Sequence, residues 1–232
     1  MRSARWRELG RRQALVLLVT GLLVEGPGRW LLRPHMHDLL PGTVSFNLPL
    51  RLGIEAGFVA VFLIAASLCG GLAASGARLR HWGRLDWWLL GVVGAIELVV
   101  VLVLTSRRWG QLPGPGGIGW LAGWILSESL FGFNQETGFR GLVMTGLLRL
   151  WGPFPAVVLN SLLFTFGPLH GGGHLADWLA NPAQHAPMIV AVAVSGLFFS
   201  CVRYATDNVV LAGILHGLVN GLLNGSALAL RG

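Results

Sequence analysis

Among the ionisable residues of an apolar stretch that runs from about Gly119 to Leu150, two stand out because they could pair. They are Glu136 and Arg140, and their spacing of four residues places them on one face of a helix, where they can pair. An ionisable side chain inside a lipid bilayer costs about 2.5 kcal/mol or more, so it marks a functional site by default. The plainer alternative is a buried ion pair that fixes a kink or a packing register.

Two later apolar segments carry side chains that could complete a hydrolytic site. His170 ends one of them, and His216 and Asn220 lie within the last, four residues apart and therefore on the same helix face. A hydrolytic reaction would need an activated water, stabilisation of an oxyanion and a proton for the leaving group. Glutamate and histidine supply the acid–base chemistry, while histidine and asparagine can donate to the oxyanion.

A metal ion offers a second route to the same reaction. A bound zinc ion acidifies a coordinated water, and Glu136, His170 and His216 are zinc ligands by residue type. The sequence does not decide between direct activation of water by a glutamate and activation by zinc.

The composition predicts a membrane protein. Hydrophobic residues make up 53% of the 232 residues and charged residues 12%, whereas soluble domains carry about a quarter charged residues. The net charge of +7 comes from arginines, many of which lie at the ends of apolar runs. At these positions they can bind anionic lipid headgroups. Because no basic face with interleaved aromatic residues accompanies them, we expect a lipid bilayer as a partner, and no nucleic acid.

The apolar runs predict an all-α polytopic membrane protein of about seven transmembrane helices, forming a single transmembrane domain over residues 1–232. Short loops rich in glycine and proline separate the runs. The predicted segments are Ala14 to Val24, Leu52 to Ala74, Trp87 to Thr105, Gly119 to Leu150, Phe154 to Leu169, Pro187 to Val202 and Val209 to Leu230.

The candidate residues lie at comparable depths in these segments. At about 1.5 Å per residue, Glu136 lies roughly 20 Å from the inner end of its segment and His170 roughly 24 Å. By the same count His216 and Asn220 lie roughly 10 and 17 Å up the seventh segment. We therefore expect the four side chains to line one polar intramembrane cavity between the fourth, fifth and seventh helices, within about 8 Å of one another.

Three short motifs carry a resemblance to a known family. In chain order they are Q-E-x-x-x-R, F-x-x-x-H and H-x-x-x-N, beginning at Gln135, Phe166 and His216. They resemble the three signatures of the CAAX-protease and bacteriocin-processing family of intramembrane proteases, which includes the CAAX prenyl endopeptidases. The resemblance covers about Gly119 to Leu223, close to half of the chain.

The resemblance implies an intramembrane endopeptidase that cleaves a membrane-associated peptide or protein. It implies Glu136 as general base or ligand, His170 as acid–base group or ligand, and His216 and Asn220 as oxyanion donors or ligands. Arg140 would hold Glu136.

Gln135 departs from the family pattern, which opens with two glutamates, the first being the presumed base. A neutral amide cannot take up a proton, so Gln135 would only position water or a substrate carbonyl. Three alternatives stay open: Glu136 has taken over as base, the enzyme is slow, or a membrane peptide-binding scaffold or immunity protein remains without catalysis. Among other membrane acids, Glu128 is the next candidate base, whereas Glu55 and Glu97 are expected to make polar packing contacts.

The arginines also predict a topology. A cluster of five precedes the first apolar run, between Arg2 and Arg12, and arginine-rich segments stay on the cytoplasmic side. The chain is compact, rich in Arg and Trp and without Lys, which indicates a bacterial inner membrane. With seven spans the two ends of the chain fall on opposite sides of the membrane.

Cysteine labelling tests this orientation. A cysteine placed at Gly232 should be labelled from outside intact cells and one placed at Ser3 should not, so external labelling at Ser3 would refute the orientation.

Overall fold

The computed structural model describes residues 5–36, 48–77, 82–112, 114–167 and 179–230. Within these ranges the chain is helical and contains no strand. We number seven helices, three of which contain a π-helical turn between their α-helical parts. They are α1 (Arg11–Leu23, turn Val24–Gly28, Arg29–Met36), α2 (Leu48–Leu68), α3 (Arg84–Thr105), α4 (Gly117–Glu136, turn Thr137–Val143, Met144–Trp151), α5 (Pro153–Phe166), α6 (Pro182–Thr206) and α7 (Val209–Asn220, turn Gly221–Gly225, Ser226–Ala229).

The predicted fold class is confirmed: the protein is an all-α polytopic membrane protein. Among the residues that the structure describes, five helices are long and apolar enough to cross a membrane, within α1, α2, α3, α6 and α7. The other two are α5, which is apolar but has 14 residues, and α4, which is longer and carries the polar motif. Large apolar side chains such as Val99, Val103 and Leu104 of α3 are exposed, as a lipid-facing helix requires.

Several helices extend beyond the predicted segments, and α1 and α6 do so most. The first does not stop at Val24, because the π-helical turn Val24–Gly28 takes Pro27 into the helix and the chain continues to Met36. A proline lacks the N–H that an α-helix interior needs, and a wider turn accommodates that loss. Likewise α6 begins at Pro182, where a proline suits the first turn, so His185 lies in a helix rather than in the expected loop.

The helix α5 ends before Leu169, the predicted end of its segment. The helix stops at Phe166, and Gly167 has extended backbone (φ −69°, ψ 175°). A residue that precedes a proline is disfavoured in helical conformation, and residue 168 is a proline. His170 and Pro168 themselves lie outside the described residues.

Contacts divide the chain into two compact units. Unit 1 comprises residues 1–32, 61–78 and 137–209, and unit 2 comprises residues 33–60, 79–136 and 210–232. The single domain expected from the length stays a prediction.

In unit 2 the first part of α4 packs closely against α7 along a row of glycines. The glycines of α7 recur every fourth residue, at positions 213, 217, 221 and 225. A Cβ atom on Gly217 would lie 2.7 Å from the Ser129 carbonyl oxygen, and one on Gly225 would lie 2.7 Å from the Ile125 Cα. The two helices therefore approach with backbone nearly on backbone, as small residues allow in membrane helix pairs.

This close approach gives a stability prediction. Gly217→Ala should lower the free energy of unfolding by about 1–3 kcal/mol, because the added methyl group meets the backbone of α4. The matched control is Gly57→Ala on α2, where a Cβ meets nothing within 4 Å and which should be neutral or stabilising. Thermal unfolding in detergent measures both variants, and equal melting temperatures would contradict the close packing of α4 on α7.

Candidate active site

Glu136 and His216 form a buried pair in unit 2. Glu136 is the last residue of the first part of α4, immediately before its π-helical turn, and His216 lies in α7. Glu136 Oε1 and His216 Nδ1 are 2.7 Å apart, with the glutamate side chain fully buried and the histidine side chain 12% exposed. The structure thus joins two motif residues that are 80 positions apart in the sequence.

Asn220 lies on the same side of α7 as His216 and faces α4. A Cβ on Gly132 would lie 3.1 Å from Asn220 Nδ2 and 2.9 Å from the His216 carbonyl oxygen. Gly132 is one helical turn before Glu136, so the asparagine amide and the Glu136–His216 pair both lie along one face of α4. The expectation that all four site residues share one cavity stays a prediction, because His170 lies outside the described residues.

The hydrogen bond between the pair fixes how the imidazole can act. An ionised Glu136 accepts the proton of His216 Nδ1–H, which leaves Nε2 as the ring nitrogen available to a substrate, a water or a metal ion. The pair therefore combines a carboxylate that can take up a proton with an imidazole of defined orientation.

Gln135 is buried beside this pair, and its Oε1 accepts no hydrogen bond from the residues that the structure describes. Successive helical residues are rotated by about 100°, so Asn134 and Glu136 project about 160° apart, on nearly opposite faces of α4. Its neighbour Asn134 points to α2, where Nδ2 donates to Glu55 Oε2 at 2.6 Å and to the Glu55 carbonyl oxygen at 2.8 Å. Glu136 points to α7.

The structure separates the other membrane acids by their surroundings. Glu128, the next candidate base by sequence, is buried in an ion pair with Arg51 of α2. Glu97 lies partly buried on the mostly exposed helix α3. Glu55 is fully buried and makes the polar packing contact with Asn134 that the sequence analysis expected for it.

Arg140 lies in unit 1, in the π-helical turn of α4, and is fully buried. Its Nη2 donates to the Gly196 carbonyl oxygen of α6 at 2.9 Å, and its guanidinium carbon lies 4.2 Å from the ring centre of Phe164. Two more aromatic rings lie within about 6 Å, those of Phe139 and Phe199. The guanidinium therefore ties α4 to α5 and α6, and its expected role in holding Glu136 stays a prediction.

Sequence reasoning missed a second buried carboxylate–arginine pair, in α1. Arg29 Nε donates to Glu25 Oε2 at 2.6 Å, and both side chains are 2% exposed. Glu25 Oε1 occupies the place that a Cβ on Gly138 would take, so the pair contacts the π-helical turn of α4 within unit 1. Its signal in the sequence is the same four-residue spacing as in Glu136 and Arg140.

The packing of Arg140 gives a prediction that distinguishes an anchor from a catalyst. Arg140→Lys keeps the positive charge but loses the planar contact with Phe164 and a well-directed donor to Gly196. We expect about 1–3 kcal/mol lower stability in detergent, from the stacking and the hydrogen bond together. Arg107→Lys, at an exposed position, is the control and should leave stability unchanged. A variant that keeps its stability but loses activity would contradict the anchoring role.

The chain matches a known protein-family model over part of its length. The family is described as type II CAAX prenyl endopeptidase Rce1-like, and its model matches residues 117–222. That range begins at the start of α4, ends in the π-helical turn of α7 and contains all three motifs. No curated protein and no solved structure matches the chain. The resemblance carried by the motifs is thereby confirmed, and the match to the Rce1-like family supports an intramembrane protease of the CAAX type.

Proposed function

We propose that the protein is an intramembrane endopeptidase that hydrolyses a peptide bond of a membrane-associated peptide or protein. The observation that carries the proposal is the 2.7 Å contact between Glu136 and His216. Two residues from separate family motifs form one buried acid–base pair, inside the range that the family model matches.

In the proposed reaction Glu136 accepts a proton from a water molecule, whose oxygen attacks the carbonyl carbon of the scissile peptide bond. Asn220 donates to the oxyanion that forms, and His216 does so as the imidazolium, whose Nδ1–H is bonded to Glu136 and whose Nε2–H is the second donor; both residues lie along the face of α4 that carries Glu136. As the C–N bond breaks, the proton passes from the site to the leaving amine, with His170 as an acid–base candidate. Gln135 positions the water or the substrate carbonyl through its buried amide.

The orientation of the Glu136–His216 pair determines which atoms could bind a zinc ion. His216 presents Nδ1 to Glu136, so the ring nitrogen left for a metal is Nε2. A histidine ligand oriented by a carboxylate on its other nitrogen is a common zinc arrangement. In this arrangement Glu136 is the residue that orients the histidine rather than a direct ligand through Oε1, and His170 is the other histidine of the proposed ligand set. Zinc bound there would supply an acidified water.

The proposed activity implies a class of substrate, and the arginine pattern suggests a location. A site within membrane helices takes a peptide that reaches the bilayer, such as a leader peptide, a sorting tag or a regulatory membrane protein. We place the protein in a bacterial inner membrane with a cytoplasmic N-terminus.

A second candidate function is favoured by Gln135. If the glutamate that this position lacks is essential, the protein binds a membrane peptide without cutting it, as a scaffold or an immunity protein.

Two variants of the purified protein, compared with the natural protein, separate these candidates. Glu136→Gln nearly conserves shape but cannot take up a proton, so it should lower turnover by about 10²–10⁴-fold. Gln135→Glu should raise turnover, because it adds a second carboxylate one residue away. The assay is cleavage of a membrane-peptide library in liposomes, with melting temperatures as the folding control.

Each outcome of this assay has a meaning. If Glu136→Gln cleaves as fast as the natural protein, Glu136 is structural and the proposed base is wrong. If the natural protein never cleaves but Gln135→Glu does, the peptide-binding function is the correct one for the natural sequence.

A further inference from the structure

Arg108 reaches from the end of α3 to the π-helical turn of α7. It is the last residue of a short 3₁₀ turn, Ser106–Arg108, that follows α3 directly. Its Nη1 donates to the Leu223 carbonyl oxygen at 2.7 Å and to Ser226 Oγ at 3.3 Å. All three residues belong to unit 2, and none of them takes part in the reaction proposed above.

The contact lies where the regular helix of α7 is interrupted. The π-helical turn is Gly221–Gly225, and Leu223 is its middle residue. A wider turn breaks the regular ladder of main-chain hydrogen bonds, so a carbonyl in it is open to a side-chain donor. Ser226 Oγ also donates to the Leu223 carbonyl oxygen, at 3.3 Å. The bond from Arg108 is charge-assisted and about twice as strong as one between neutral groups, so it stabilises the turn.

The same turn is packed on α4. A Cβ on Gly221 would lie 2.9 Å from the Ile125 carbonyl oxygen, and one on Gly225 would lie 2.7 Å from the Ile125 Cα. The first and last residues of the turn therefore lie against the backbone of α4, while Arg108 binds its middle residue. Two neighbouring elements of unit 2 thus hold the turn in place.

Asn220 is the residue immediately before this turn. A π-helical turn contains one residue more than an α-helical turn, and each residue of a helix adds a rotation of about 100°. The wider turn therefore sets the direction of Asn220 relative to the part of α7 that follows. Because that part is packed on α4 at Gly225, the conformation of the turn determines where the Asn220 amide points.

We infer that Arg108 is a positioning residue for Asn220: by holding the π-helical turn, it keeps the asparagine amide directed at the oxyanion. The inference rests on the proposed function and deepens it. An oxyanion donor acts only when it lies about 2.7–3.1 Å from the position of the developing charge. Arg108 touches neither the substrate nor the candidate base, and it acts on the rate through the placement of Asn220.

Three substitutions measure the size of the effect. Arg108→Met removes the donors and keeps an unbranched apolar stem, so it should lower kcat about tenfold with KM little changed, since a 1 Å misplacement can cost on the order of 10²-fold. Arg108→Lys keeps a charged donor and should restore most of this loss. Arg107→Met, at the exposed neighbouring position, is the matched control and should leave kcat unchanged. The assay is cleavage of one peptide in liposomes, by variants of both the natural and the Gln135→Glu protein.

A double-mutant cycle separates positioning from general stabilisation. Asn220→Ala removes the proposed donor and should lower kcat by about 10²-fold. Adding Arg108→Met to Asn220→Ala should then change kcat by less than about twofold, because the group that Arg108 positions is already gone. If Arg108 only stabilised the fold, the loss would be the same with and without Asn220.

Hydrogen exchange provides a readout that does not depend on catalysis. In detergent, Arg108→Met should speed exchange of the main-chain amides of residues 221–227 about tenfold, because the turn opens more often without its clamp. Arg107→Met should leave these rates unchanged. Unchanged exchange in Arg108→Met overturns the inference whether or not any peptide is cleaved.

The outcomes distinguish this inference from the proposed function. Full activity of Arg108→Met, or an equal loss with and without Asn220, overturns the role of Arg108 while the peptidase stands. If neither the natural protein nor Gln135→Glu cleaves any peptide, the proposed function fails and the inference fails with it. Should Arg108→Met not fold, Arg108→Gln takes its place in the cycle, with the same loss of kcat expected only where Asn220 is present.

Discussion

The close packing of α4 on α7 is the constraint on which the site depends. A carboxylate and an imidazole can meet inside a membrane protein only where their burial is compensated by a hydrogen bond of good geometry. The glycines at 132 and 217 provide that geometry, since any side chain there would meet the backbone of the opposite helix. The glycine row therefore sets the distance between helices, and the distance sets the contact of Glu136 with His216.

Three consecutive residues of α4 make different polar contacts within unit 2. Asn134 binds α2, Glu136 binds α7, and Gln135 is buried between them. The side chains of Asn134 and Glu136 are thus held by protein groups, which preorganises this part of α4. The nearby acid Glu128 is likewise held by protein, in its ion pair with Arg51.

The sequence predicted the helices well and the contacts between them only in part. Apolar run length is a local property, so the seven segments and their order could be read directly. The shared face of His216 and Asn220 followed from their spacing. The bonds of Glu55 to Asn134 and of Arg51 to Glu128 join positions 79 and 77 residues apart, and no local pattern encodes such pairings. The continuation of α1 through Pro27 was missed because a proline normally ends a helix, and only the wider turn removes the conflict.

The two charged residues of the first motif, Glu136 and Arg140, lie in different parts of α4 and have different surroundings. Glu136 closes the α-helical part of α4 in unit 2, whereas Arg140 lies in the π-helical turn in unit 1. A guanidinium is protonated under all ordinary conditions and so offers no proton exchange, but its planar face and several donors suit an aromatic cage and a main-chain carbonyl. Arg140 has both, in Phe164 and Gly196. The turn that it anchors also contacts the Glu25–Arg29 pair through Gly138, where only a glycine leaves room for the carboxylate. The turn that follows the candidate base is thus fixed within unit 1 by a cation and by a buried ion pair.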